Sequence, residues 1–344
     1  MQHKGIGYFF IVMASVVVIL AGAKSASEII VPFLLSLFIA IILSPSYNFF
    51  NKKGLPNSLS LTIVISIFIV FILLVAKLIG SSAQEFSSNI DFYNQQLLNI
   101  FSNFTGYATK LGVEIPFEDI SNIINTKQIM NFSTTLIKSI GSLFADGFVI
   151  LLTVIFMILE SNYFIKKLEY ASLKSLSINH ADEIMNQIKE YMVLKALISL
   201  LTGFIIWVAL ILVGTDYAFL WATLAFLLNF IPNIGSIIAA VPAVLLTLVQ
   251  LGGVSALVVT MIYMAVNIVI GSVVEPKIMG RGLGLSTLVV FLSLLFWGWL
   301  FGMVGMLLSI PLTIMAKIIF NANDSTKWIA VFLGTGESLS NEKK

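Results

Sequence analysis

Asn229-Phe230-Ile231-Pro232-Asn233-Ile234-Gly235 interrupts a tract, Tyr217 to Val274, that holds no charged side chain. The tract is nearly three times the roughly 20 residues that one bilayer crossing needs, so it must turn back inside the membrane. Pro232 removes an amide donor and Gly235 lets the backbone turn, which frees carbonyl and amide groups at membrane depth. Asn229, Asn233 and Ser236 set neutral donors and acceptors beside them. Freed backbone groups survive there only where protein or trapped water satisfies them, and transporters build substrate sites in this way. The same residues also suit a tight turn at a membrane face, with the asparagines capping helix ends.

A second charge-free tract runs from Gly282 to Ala316 and is broken between Trp297-Gly298-Trp299 and Gly305. Between the two lies Glu275-Pro276-Lys277-Ile278-Met279-Gly280-Arg281-Gly282-Leu283-Gly284, charged and rich in glycine. Glu275 and Arg281 would lock a re-entrant turn as a pair. Separately, Glu275 would take a proton and Arg281 would hold an anionic or hydroxyl-rich ligand. Gly298 and Gly302 have the spacing of a close helix-packing face. The deep polar residues are neutral: Asn229, Asn233, Asn267, Ser272, Ser286 and Thr287, with Trp297 and Trp299 near them in sequence. That set suits a small, uncharged, hydroxyl-rich molecule better than a metal ion.

Composition narrows the class. The chain is 58% hydrophobic and 10% charged, whereas soluble domains carry roughly 25% charged residues. A net charge of +2, with lysines scattered between apolar runs, gives no nucleic-acid surface. No cysteine is present, and the two histidines, His3 and His180, lie far apart in polar segments. The sequence has no Gly-x-x-x-x-Gly-Lys loop, no His-Glu-x-x-His and no Gly-x-Ser-x-Gly. An ATP-driven pump, an intramembrane protease and a lipid hydrolase are therefore disfavoured, and neither enzymatic activity nor a cofactor is expected.

The expected fold is an all-α polytopic membrane protein of about eight membrane segments, some of them broken or re-entrant hairpins. Residues 1–77 supply N-terminal membrane helices, with Ile6 to Ala23 read as a retained helix despite the small residues Ala21-Gly22-Ala23. Pro32 sits near the start of the next span and Pro45 where it should stop. Residues 78–146 leave the bilayer as an external amphipathic segment. In it Phe86, Ile90, Tyr93, Leu97, Phe101 and Phe104 form one apolar stripe, either packed on its own chain or facing a neighbouring subunit. Gly106, Gly112 and Pro116 should end that helix, and a second should run from Glu118 towards Ile137. Residues 147–159 form a membrane helix, 160–195 a cytoplasmic polar segment, 196–320 the transport region and 321–344 a cytoplasmic tail. Lysines in short loops put both termini in the cytoplasm and 78–146, with six acids against three lysines, outside.

Asn229 to Ser236, Glu275 to Ser286 and the following Thr287 to Trp299, with Glu28 to Phe33 and Tyr191 to Lys195, resemble the autoinducer-2 exporter family. The resemblance implies a bacterial inner-membrane homopentamer exporting the quorum-sensing signal autoinducer-2, with part of each protomer moving in an elevator-like way. Some members of the family are described as sodium/proton antiporters, so cation/proton exchange stays open as an alternative. So does a membrane scaffold without transport, although a scaffold has no use for broken helices. The expected substrate contacts are Asn229, Pro232, Asn233, Gly235, Ser236, Glu275, Arg281 and Ser286.

Overall fold

The computed structural model describes residues 3–110, 134–135, 137–138, 147–171, 178–232, 234–279, 284–321 and 325–334. Among these the chain is helical apart from turns and one isolated bridge between Leu285 and Gly334. Among the described residues, five helical stretches are long and apolar enough to cross a membrane: Ser27–Lys52, Asn57–Ser88, Ile188–Val213, Gly253–Ile278 and Thr287–Leu307. Five shorter apolar helices accompany them: Phe10–Ser25, Gly147–Glu160, Ala218–Leu228, Gly235–Leu251 and Ser309–Asn321. The mixture of full and short apolar helices is the all-α polytopic fold expected from the broken tracts. The expected helix from Glu118 towards Ile137 falls almost wholly outside the described residues.

The chain divides into two compact units, and the first comprises residues 1–64, 146–193 and 281–344. Its N-terminal part holds α1 (His3–Ser25) and α2 (Ser27–Lys52), separated only by Ala26. Pro45 does not stop α2, which continues to Lys52. Prolines are tolerated within membrane helices because neighbouring groups and small local adjustments re-satisfy the freed carbonyl. The α2 helix lies along α5 (Gly147–Ala171), with the Ser36 hydroxyl donating to the carbonyls of Pro32 at 2.7 Å and Ile150 at 3.2 Å. Phe38, Ile150, Val154 and Ile158 are buried, while Phe148 and Phe156 stand exposed as lipid-facing side chains would.

The C-terminal part of this unit is a hairpin of α11 (Thr287–Leu307) and α12 (Ser309–Asn321), followed by the short α13 (Lys327–Leu333). Gly302 breaks α11 with φ 63° and ψ −144°. The two glycines of the expected packing face therefore have different jobs. A Cβ at Gly298 would meet the Cγ of Met306 at 2.8 Å, which is packing inside the hairpin, whereas a Cβ at Gly302 would meet nothing. Gly305 makes the tightest contact of this hairpin, since its Cβ would lie 1.9 Å from the Trp297 carbonyl oxygen. Gly302→Ala should accordingly cost about 1–3 kcal/mol of conformational strain. Gly305→Ala must push two backbone segments apart and should lower the thermal midpoint several times further. Equal midpoints for the two purified variants would refute this assignment. Across the hairpin, Trp297 Nε1 donates to Thr313 Oγ1 at 2.9 Å and Lys317 Nζ to the Gly284 carbonyl at 2.7 Å.

The second unit comprises residues 65–145 and 194–280. It takes in most of α3 (Asn57–Ser88), α4 (Ile90–Lys110) and the latter half of α6 (Ile178–Val213). After these come α7 (Ala218–Leu228), α8 (Gly235–Leu251), α9 (Gly253–Val266), a π-helical segment over Asn267–Val274 and α10 (Glu275–Met279). The α4 helix runs through Gly106 to Lys110, past the first expected breaker. Phe86, Tyr93 and Leu97 of the apolar stripe are buried within the unit, and Phe86 meets Trp221 edge-on at 5.4 Å. Intrachain packing thus uses this part of the stripe. The α6 helix passes without a break through residue 195, where the sequence reading ended a polar segment.

Candidate functional site

A short helix and the turn after it decide where the second unit opens polar groups to one another. The short helix α7 has 11 residues, about 16 Å at the usual rise, or half of a ~30 Å hydrocarbon core. It breaks at Asn229, and the chain turns through Pro232 and re-enters helix at Gly235. The turn closes on itself: Ile231 N donates to the Leu228 carbonyl at 2.8 Å and Gly235 N to the Ile231 carbonyl at 3.3 Å. Gly235 is required by contact and not by φ, because its Cβ would lie 1.8 Å from the Leu228 carbonyl oxygen. At the opposite end, Thr215 Oγ1 and Thr247 Oγ1 are 3.0 Å apart, and Gln250 accepts from Asp216 N at 2.9 Å. The hairpin of α7 and α8 is thereby anchored at the end opposite its tip, about 16 Å away, roughly half the thickness of a hydrocarbon core.

The depth of the other polar groups follows by counting from that anchored end. Thr202 on α6, Asn229 at the tip, Ser236 on α8 and Tyr263 on α9 all come out about 15–21 Å from it. Three of them meet in space. Thr202, Ser236 and Tyr263 line a small cavity of about 10 Å³ together with Asn267, the first residue of the π segment. Asn229 is buried, and its Nδ2 donates to Ser199 Oγ at 2.9 Å. Every one of these groups is neutral. Such a constellation can hydrogen-bond a small uncharged solute. No group of three or more metal-ligating side chains occurs among the described residues.

The expected site residues divide into four sets. Asn229, Pro232, Gly235 and Ser236 do gather at the hairpin tip. Asn233 and Arg281 lie outside the described residues. Ser286 belongs to the first unit, where its hydroxyl caps α11 by accepting from Val289 N at 3.2 Å. Glu275 has a described partner that sequence reading did not name: Lys195 Nζ donates to its Oε1 at 2.6 Å. The lysine side chain is 5% exposed and the glutamate 21%. Counting from the anchored end puts this pair about 27–33 Å away along the helices, roughly one core thickness.

Tyr263, Thr202 and Lys195 were the residues missed. Their only signal in the sequence was a polar group inside an apolar helix, and such groups are too common in this chain to sort without the packing. Near the anchored end there is a wider cavity of about 420 Å³, lined by Glu85, Asn89, Tyr93, Asp216 and Tyr217 among others. Tyr217 holds a left-handed backbone with φ 56° while its hydroxyl meets Asn89 and Tyr93 at 3.3 Å each. Burial, aided by the Tyr217 hydroxyl, pushes the Tyr93 phenol far above its ordinary range, so it stays a neutral donor and acceptor.

Comparison with known proteins gives the family. The AI-2E transporter family profile matches residues 11–324. The chain is 38% identical over 324 residues to the AI-2 transport protein TqsA of Escherichia coli K12, covering 94% of each protein. It is 42% identical over 337 residues to a Haemophilus influenzae protein provisionally named a transport protein, covering 94% of this chain and 95% of that one. A third relative, provisionally named transport protein YhhT of Escherichia coli K12, is 36% identical over 329 residues, with 95% and 94% covered. With apolar helices long enough to cross a bilayer and a family match over nearly its whole length, this multi-pass membrane protein belongs to the AI-2E family of transporters.

Proposed function

We propose that this transporter exports autoinducer-2 or a similar small, neutral, polar metabolite, and that the solute is held at mid-depth in the second unit. The observation that carries this reading is the gathering of neutral hydrogen-bonding groups at a broken helix where lipid alone would leave them unsatisfied. The likeness to a protein named for AI-2 transport supports the substrate. Asn229, Pro232, Asn233, Gly235, Ser236, Glu275 and Arg281 are proposed contacts, and the cap on Ser286 argues for a structural role there. An elevator-like movement, implied by the family resemblance, needs part of each protomer to hold together as one body. The division into two compact units supports it. An inner-membrane location with both termini cytoplasmic is supported by the short-loop lysines. Within the second unit, Asp216 and Tyr217 also fall beside Glu85, Asn89 and Tyr93, as one shared outer face requires.

The test is efflux and uptake of labelled autoinducer-2 in proteoliposomes, run beside sodium uptake with a pH-sensitive dye. Saturable autoinducer-2 flux supports the reading, and sodium-driven pH change without it overturns it. Exchange of a monovalent cation for protons is a second reading, and one observation favours it: the buried Lys195–Glu275 pair places a carboxylate inside the helical bundle of this unit.

A homopentamer with one site per protomer is also proposed, and its stoichiometry rests on the family resemblance. The stripe at Phe86, Tyr93 and Leu97 and the glycine at 298 are satisfied within the chain, so they do not call for a partner. Native mass spectrometry in mild detergent checks the number. Mixing wild type with Gly235→Leu protein should reduce activity in proportion to the mutant fraction, and a steep loss at small fractions would mean one shared pathway.

A further inference from the structure

Among the described residues of the second unit, only Tyr263 carries a buried side-chain polar atom without a hydrogen-bond partner. The residue is 5% exposed. A hydroxyl stranded in this way costs stability, and phenylalanine would fill the same shape without that cost. The hydroxyl is not stranded at random, for Tyr263 lines the small cavity at mid-depth. Asn267 lies four residues on and shares its helix face. The helix widens to the π form at that residue, a distortion that recurs at functional sites. Gly271 provides the room: a Cβ there would come within 3.2 Å of Asn267 Oδ1.

The opposite wall is the broken hairpin, which contributes Ala225 from α7 and Ser236 from the first turn of α8. Thr202 already donates its proton to the Ile198 carbonyl at 2.9 Å, so towards a ligand it offers lone pairs. The lining therefore combines donors and acceptors from neutral side chains with apolar patches from Ile206 and Ala225. At about 10 Å³ the cavity has room for one water at most. A solute of several carbons needs a pocket of some hundreds of cubic ångströms.

We propose that this is the closed form of the solute cavity, and that Tyr263 hydrogen-bonds a small neutral polyhydroxylated solute when the hairpin arm draws back. Asn267 and Ser236 are its companions, and Tyr263 is the residue that selects a hydroxylated solute over an apolar one. The inference deepens the transport reading above and rests on it for the role of the hairpin.

The experiment uses the purified full chain in proteoliposomes with labelled autoinducer-2. Tyr263→Phe should raise KM about 10-fold, as loss of one good hydrogen bond does, while its thermal midpoint in detergent stays equal or rises. Unchanged KM and kcat in Tyr263→Phe would mean that the hydroxyl meets only water, and would overturn the inference while leaving the transport reading intact. If wild type moves no autoinducer-2, the transport reading falls on its own. The cavity is then decided by a 3-fluorotyrosine placed at position 263 and titrated with ribose, erythritol and glycerol. A saturable change in its fluorine resonance supports the site, and no change with any of the three overturns it.

Discussion

Gly235→Leu should abolish transport while the protein still inserts and purifies as a folded membrane protein. The reason is geometric. A Cβ at this position would lie 1.8 Å from the carbonyl oxygen of Leu228, 2.7 Å from its carbon and 3.0 Å from Ile231 Cβ. The first two obstacles are backbone, which cannot swing aside as the end of a flexible side chain can. Even Gly235→Ala must open the hairpin tip, so it should retain only a small part of wild-type flux, and leucine should leave none. The damage stays local because the hairpin is anchored at its other end by Thr215, Thr247 and Gln250. Gly252→Ala is the control. Gly252 has φ 85° and ψ 179° with nothing within 4 Å of a Cβ, so alanine there costs about 1–3 kcal/mol of strain without moving the tip. Flux assays on protein matched by size-exclusion profile separate the two cases. Near-normal efflux by a well-inserted Gly235→Leu protein would remove the hairpin tip from the transport path.

Much of this was legible because lipid is an unforgiving solvent. A charge-free tract of 58 residues, Tyr217 to Val274, has to fold back on itself, and Pro232 with Gly235 marks where, since no other residues in it free so many backbone groups together. Glycine roles were less legible. Gly235 reads as a turn-former and Gly302 as half of a packing face, yet it is Gly302 that uses a positive φ, while Gly235 yields space to a carbonyl across the turn. That distinction depends on which backbone passes nearby, and no local pattern encodes it. The same limit applied to Glu275. Its nearest basic residues in sequence, Lys277 and Arg281, drew attention to a local pair. The described partner, Lys195, comes from a different helix 80 positions away. Tyr263 was invisible for a related reason: a tyrosine in an apolar helix signals nothing until its hydroxyl is found without a partner.

Breaking the Lys195–Glu275 pair should be strongly destabilising, and removing both charges together should not. Loss of one partner from a buried pair typically costs about 3–5 kcal/mol, because the survivor keeps its desolvation cost without compensation. The lysine is 5% exposed and so pays nearly all of it when stranded by Glu275→Gln. Glu275 is 21% exposed and can draw on water and interfacial groups when Lys195→Met strands it. Glu275→Gln is therefore expected to be the worse of the two, by about 1 kcal/mol. The double variant Lys195→Met/Glu275→Gln leaves no charge to strand and should recover most of the lost thermal stability, since replacing a buried pair by neutral groups is often close to neutral. What the double variant does to flux separates the two transport readings. If the pair only clamps α6 to the start of α10, restored stability brings restored autoinducer-2 flux with an unchanged pH profile. A stable double variant that transports nothing would instead make the carboxylate part of the transport cycle. If its single partner Glu275→Gln had also lost the wild-type dependence on pH, proton coupling through Glu275 would become the better account of how this transporter is driven.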